Sequence, residues 1–213
     1  MKTVRILGAF NRESDWYLEG TDHWALNNFH SVVDDESQIA AWFQMHPRDQ
    51  WEAGRNGEEH KAWLKEKHPF PIYMQEQYKG VPSAKKYPKD EADKLWPFSW
   101  GPVYSDTFCY MTALAILRGY EAIDYYGVHL TTPIEVYLEA HGLMTWVGIA
   151  GARGVKTTGN SRLFGKFEYG YQPRAAPLWL PHDVAALVMI DEYPPLKSYM
   201  TKWADLKYKA YSG

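Results

Sequence analysis

Cysteine is nearly missing from this sequence. Cys109 is the single one in 213 residues, so the chain can close no internal disulfide and build no cysteine-based metal site. That usage suits a reducing compartment, and a cytoplasmic location is expected. Long apolar runs are missing too. No stretch approaches the roughly 20 apolar residues of a membrane span, and Met1 to Leu7 enters a strand-like pattern without the apolar region of a secretory signal. Neither secretion nor membrane insertion is expected. There is no excess of positive charge: 23 Lys and Arg stand against 26 Asp and Glu, and a net charge of -3 argues against bulk nucleic-acid binding by phosphate neutralisation. The histidines lack the spacing of metal ligands, so no metal site is expected. No carboxylate pair with acid/base spacing and no nucleophilic serine motif stands out.

What is abundant is aromatic. The chain carries 10 Trp, 16 Tyr and 8 Phe, side chains that bury large areas and also stack on bases and sugars. With 46% apolar and 23% charged residues the composition is that of a folded soluble protein, long enough for one sizeable core.

The segment Ser105 to Leu130 reads as a complete helix-turn-strand unit. Ser105, Asp106 and Thr107 each offer an N-cap oxygen, and Gly119 suits the left-handed position that ends a helix. Phe108, Met111, Leu114, Ala115, Ile116 and Leu117 surround most of the circumference, which predicts a helix buried on nearly all sides. Ile123 to Tyr126 then reads as a strand closed by Gly127.

Earlier in the chain, Thr3 to Leu7 is a buried first strand ending at Gly8, followed by a loop with Asn11 and Arg12 that lacks the three-glycine dinucleotide fingerprint. His23 to Leu26 reads as a second strand delivering Asn27 and Asn28, amides suited to a base or ribose edge. Ala41 to Met45 and Pro71 to Met74 are further strand candidates. Asn56 and Glu59 form a capping-box pattern for a helix from about Gly57 to Lys67. Glu76 to Gly101 reads as an irregular connection. Thr132-Pro133-Ile134-Glu135 starts a helix that is expected to break near His141-Gly142 and resume over Leu143 to Ala152, before a strand at Val155 to Thr157.

Strands alternating with helices imply an α/β fold, a Rossmann-like doubly wound and mostly parallel sheet. Residues 1-168 are expected to form one nucleotide-binding domain, with the Tyr/Pro-rich residues 169-213 an extension packed on it. In such sheets ligands bind beyond the carboxyl ends of the strands. That edge would gather Gly8, Asn11, Arg12, Asn27, Asn28, Ser105, Asp106, Thr107 and His129, with helix N-H groups favouring phosphate. His141, at the expected break with Tyr137 one turn earlier, could act as a general base at neutral pH or simply meet a helix dipole.

The run Cys109-Tyr110-Met111-Thr112-Ala113-Leu114-Ala115-Ile116-Leu117-Arg118-Gly119-Tyr120-Glu121-Ala122-Ile123, with Tyr126-Gly127-Val128 after it, resembles the central segment of bacterial lipo-oligosaccharide sialyltransferases, and is similar to that of the related pterin pyrophosphokinase-like family. Ala25-Leu26-Asn27-Asn28-Phe29 resembles the sialyltransferase strand ending in a nucleotide-contacting Asn. Thr107 falls at a nucleotide-contacting Ser, Gly154-Val155-Lys156 and Asn160-Ser161-Arg162-Leu163-Phe164 resemble a late strand and turn, and His141 falls near the family's general base. The first loop departs from the family's Gly-Asn-Gly-Pro-Ser, and His129 replaces its Asp. The sequence also resembles uncharacterised phage-encoded proteins. The resemblance implies a metal-independent glycosyltransferase with a nucleotide sugar as donor substrate and no permanently bound cofactor. Asn27 and Thr107 would hold the nucleotide, His141 would act as base, Tyr137 would meet the leaving phosphate, and a glycan or modified nucleic acid would be the acceptor. Two alternatives stay open: nucleotide-dependent diphosphate transfer, which would want Mg²⁺ held by carboxylates, and a nucleotide-binding or sequestering protein without catalysis. The sequence is compatible with a homo-oligomer.

Overall fold

The computed structural model describes residues 1-8, 14-33, 35-54, 56-128 and 139-159. Expectations for Asn11, Arg12, His129, Thr132 to Tyr137, the 160-164 turn and the 169-213 extension lie outside the described residues.

Seven strands form one sheet, β1 (Thr3–Leu7), β2 (Asp22–Leu26), β3 (Ile39–Gln44), β4 (Ile72–Met74), β5 (Ala84–Lys86), β6 (Ala122–Tyr126) and β7 (Lys156–Gly159). Their order is β5-β4-β3-β2-β1-β6-β7, and every pairing is parallel. This is the α/β, Rossmann-like doubly wound sheet read from the sequence. The chain builds outward from β1 to β5 on one side, then returns to lay β6 and β7 on the other. The direction of winding therefore reverses between β1 and β6, which is the topological switch point.

Alternation along the strands gives each face its own core. Val4, Ile6, Trp24, Leu26, Phe43, Tyr73, Ile123 and Tyr125 pack with α4 (Thr107–Leu117) and α5 (Ala140–Ala152). Leu7, Ala25, Trp42, Ile72 and Met74 face the other way, toward Phe29, Trp51 and Leu64. Trp51 belongs to α1 (Arg48–Glu52), and Leu64 ends α2 (Glu58–Trp63).

α4 is buried at every residue from Cys109 to Ile116 except Tyr110. Asp106 is its N-cap, with Oδ1 accepting the Cys109 N-H at 2.7 Å. Its C-terminus closes as a Schellman motif: the Tyr120 N-H reaches the Ala115 carbonyl, the Gly119 N-H reaches that of Ile116, and Gly119 holds φ 68. Thr112 is the one polar group at its centre, donating to the Phe108 carbonyl at 2.8 Å and sharing a 2.7 Å bond with the Tyr125 hydroxyl.

Three local expectations are corrected. α5 runs unbroken through His141 and Gly142, because Gly142 serves close packing rather than a break: a Cβ there would stand 3.0 Å from Cys109 Sγ on α4 and 3.1 Å from Ser105 Cβ just ahead of it. α2 is capped by Gly57 at φ 97 with no side-chain bond, so the Asn56 capping box is absent and the helix is shorter than expected. The irregular stretch holds β5 and α3 (Lys89–Asp93), elements too short to show a period.

At the switch point Gly8 donates its N-H to the Tyr126 carbonyl at 2.7 Å, extending the β1–β6 pairing by one bond. A Cβ on Gly8 would lie 2.9 Å from Val128 Cα and closer still to Gly127. Neither is a flexible side chain that could swing aside. Gly8→Ala is expected to cost about 1 to 3 kcal/mol through this overpacking, read as a lowered denaturant midpoint at unchanged m value.

Candidate functional site at the carboxyl edge

Each strand of a parallel sheet ends at the same edge. α4 leads through Gly119 directly into β6, and α5 leads through Gly154 into β7, so both helices run antiparallel to the strands and bring their N-termini to that edge. The edge therefore carries Gly8 after β1, Asn27 after β2, Gly127 after β6, Ser105 to Thr107 at the head of α4 and His141 in the first turn of α5.

The expected residues have distinct situations there. The Gly8 N-H is already held by Tyr126, so its contribution is steric: it lets two loops leave the switch point side by side. Asn27 is the one non-glycine described residue with positive φ, at 48°. Its carbonyl accepts the Trp42 indole N-H at 3.0 Å, which fixes the left-handed turn from the opposite core, while its carboxamide oxygen is buried with no hydrogen-bond partner among the described residues. Asparagine tolerates this conformation better than other side-chain-bearing residues, yet it is strained relative to the α or β regions. Asn28, one position on, lines a separate cavity on the Trp42 face of the sheet with His30, Asn56 and His60.

Ser105, Asp106 and His141 are brought together. The Ser105 hydroxyl donates to the Glu139 carbonyl at 2.7 Å, tying the head of α4 to the head of α5, and Gly142 fits against the same serine. His141 is exposed beside this contact, with its carbonyl accepting the Thr145 hydroxyl at 2.7 Å. Asp106 serves as cap, so the positive end of α4 already meets a carboxylate. Thr107 is half-buried in the first turn, where backbone N-H groups have no partner within the helix. Burial, reinforced by the Asp106 carboxylate, pushes the Cys109 thiol far up, so it is a protonated core residue rather than a nucleophile. Among the described residues no cluster of three or more His, Cys, Asp or Glu is placed to hold a metal ion.

Sequence reasoning missed a stack of rings on the other face. His30 and His60 lie 5.2 Å apart at 7°, with Trp63 4.9 Å from His30 and 3.9 Å from His68. His60 is 2% exposed. Its Nε2 donates to Gln44 Oε1 at 2.8 Å, and Gln44 Nε2 donates to His46 Nδ1 at 3.1 Å. The residues are scattered in sequence, and only the His60/Trp63 spacing on one short helix hinted at a shared face.

No family model matches the chain, and no curated protein matches it. Among solved structures the chain is similar to the sialyltransferase CstII from Campylobacter jejuni in complex with a substrate analogue, cytidine-5'-monophosphate. The two share 16% identity with a TM-score of 0.43, over 75% of this chain and 79% of that one. No helix among the described residues is long and apolar enough to cross a membrane. The class defined by the sheet is therefore a doubly wound, all-parallel α/β protein with its switch point between β1 and β6.

The buried histidine has a measurable consequence. Burial, with His30, His46 and His68 nearby, holds the His60 pKa down at about 3 against an ordinary 6.5. The unfolded chain therefore binds a proton that the folded protein refuses. His60's contribution is complete above pH 6.5 and is lost as the pH falls toward 3. Acid unfolding of His60→Gln should show a shallower decline in that window, by at most about 1.4 kcal/mol per pH unit, when denaturant midpoints are compared with wild type at matched pH.

Proposed function

We propose that the protein binds a nucleotide sugar at the carboxyl edge and transfers the sugar to an acceptor hydroxyl. The observation that carries this reading is Asn27. A strained left-handed residue whose carboxamide oxygen has no partner among the described residues, at the carboxyl end of a strand next to the switch point, has the features of a ligand-holding position rather than an ordinary turn. The resemblance of Ala25 to Phe29 and of the α4 segment to sialyltransferases supports the same assignment. Asn27 then contacts base or ribose, and Thr107 approaches the nucleotide through its hydroxyl and the first-turn N-H groups of α4.

In the transfer step His141 takes the proton from the acceptor hydroxyl as that oxygen bonds to the anomeric carbon. The bond from the anomeric carbon to the phosphate oxygen breaks, and its electron pair leaves with the nucleotide. The resemblance to sialyltransferases gives Tyr137 the role of donor to that phosphate. The exposure of His141 beside the joined heads of α4 and α5 leaves room for an acceptor. The donor is a substrate and no resident cofactor takes part in this scheme.

Two variants test it. Asn27→Gly removes the backbone strain and should leave stability within about 1 kcal/mol of wild type. It should also abolish the stabilisation of about 2.7 kcal/mol that a nucleotide or nucleotide sugar gives at a hundred times its Kd. Thermal shifts that survive in Asn27→Gly would remove Asn27 from the site. His141→Ala should keep nucleotide binding and lower release of free nucleotide from the donor by about 10² to 10⁴. Binding by wild type without any such release would favour a sequestering protein instead.

A further inference from the structure

Trp42 stands in β3 with no exposed surface, in the core on the face opposite α4, so it is out of reach of a ligand at the carboxyl edge. Its ring is flanked by those of Trp63 at 4.6 Å, Phe70 at 5.7 Å and His30 at 6.4 Å. Trp63 is fixed in turn by its own indole N-H, which donates to Glu36 Oε1 at 2.7 Å. An indole has one polar group, a donor. Held in this packing, Trp42 directs that donor to the Asn27 carbonyl at 3.0 Å.

The bond acts where the chain leaves the sheet. Leu26 is extended at φ -145 and ψ 157, Asn27 is left-handed at φ 48, and Asn28 follows at φ -88 and ψ 24. The change of direction from strand to turn is thus made at Asn27, which is half-buried and half open to the edge. A left-handed conformation costs a residue with a side chain an amount of the same order as one net hydrogen bond returns. The observed turn and its relaxed alternatives are therefore close in free energy, and the Trp42 bond decides between them.

We infer that Trp42 is a positioning residue that sets ligand affinity at the carboxyl edge, its indole N-H keeping Asn27 in the binding-competent conformation without touching the ligand. This rests on the nucleotide reading of Asn27. A site that is competent for only a fraction of the time binds more weakly by that fraction. Losing the bond should weaken nucleotide binding about two- to tenfold, the population shift equivalent to one net hydrogen bond. The test replaces Trp42 alone, in the full chain, with benzothienylalanine, which keeps the bicyclic shape and carries sulfur in place of the N-H. Calorimetry measures affinity for AMP, CMP, GMP and UMP, and ¹⁵N spectra follow the Asn27 amide and carboxamide without ligand. The Asn27 resonances should move, and affinity for whichever nucleotide wild type binds should fall by that factor. Trp42→Phe, shown to be folded by its denaturant midpoint, should behave alike. Ile72→Val trims the residue paired with Trp42 in the same core, so it should lower stability and leave affinity unchanged. Asn27 resonances unmoved by the sulfur analogue, an unchanged affinity although they move, or an equal loss in Ile72→Val would each overturn the role of Trp42. Wild type that binds none of the four nucleotides, with Asn27 moving as expected, would instead overturn the nucleotide reading and the affinity role with it.

Discussion

The constraint on which most of this structure depends is that α4 has no face fit for water. A helix apolar on all sides must be covered on all sides, and here the sheet covers one flank, α5 another, and α3 with Trp96 a third. Covering α4 requires α5 to approach closely, which requires glycine at 142 and a small residue at 105 opposite it. The same approach lets Ser105 reach the Glu139 carbonyl. The joined helix heads at the carboxyl edge thus follow from burying a hydrophobic rod, and the exposed His141 is placed by that packing.

The sheet and its helices were largely legible because each leaves a local signature. Thr3 to Leu7 is apolar at Val4, Ile6 and Leu7, with apolar residues directed to both faces as a central strand needs, and Gly119 and Gly154 mark Schellman ends. β5 was not legible, since three residues reading Ala-Lys-Lys carry no alternation, and its strand character comes from pairing with β4. Asn56 read as a cap because its spacing from Glu59 is right. The backbone instead put Gly57 at the cap position and left Asn56 beside the cavity.

Of the site, the positions at strand ends could be read from the order of elements, because a parallel sheet sends every carboxyl end to one edge. What could not be read is a relation between faces. The Trp42 indole reaches from one core to hold the Asn27 carbonyl at the edge, a bond spanning 15 positions that no periodicity records. The ring stack of His30, His60, Trp63 and His68 is likewise assembled from three separate segments, with His60 and Trp63 sharing α2.

The central pairing of β1 with β6 joins residues far apart in the chain, as the Arg5–Asp124 ion pair across a separation of 119 positions illustrates. During synthesis at about 5 to 20 residues per second, β1 would wait roughly 6 to 24 s for its second neighbour. Through that interval β1 is an open edge of the growing sheet. Arg5, charged and pointing from that strand, is the kind of side chain that discourages a foreign strand from pairing there. Once β6 arrives, the same guanidinium is taken up at 2.7 Å by Asp124, so a residue that guards the unfinished protein becomes a clasp in the finished one.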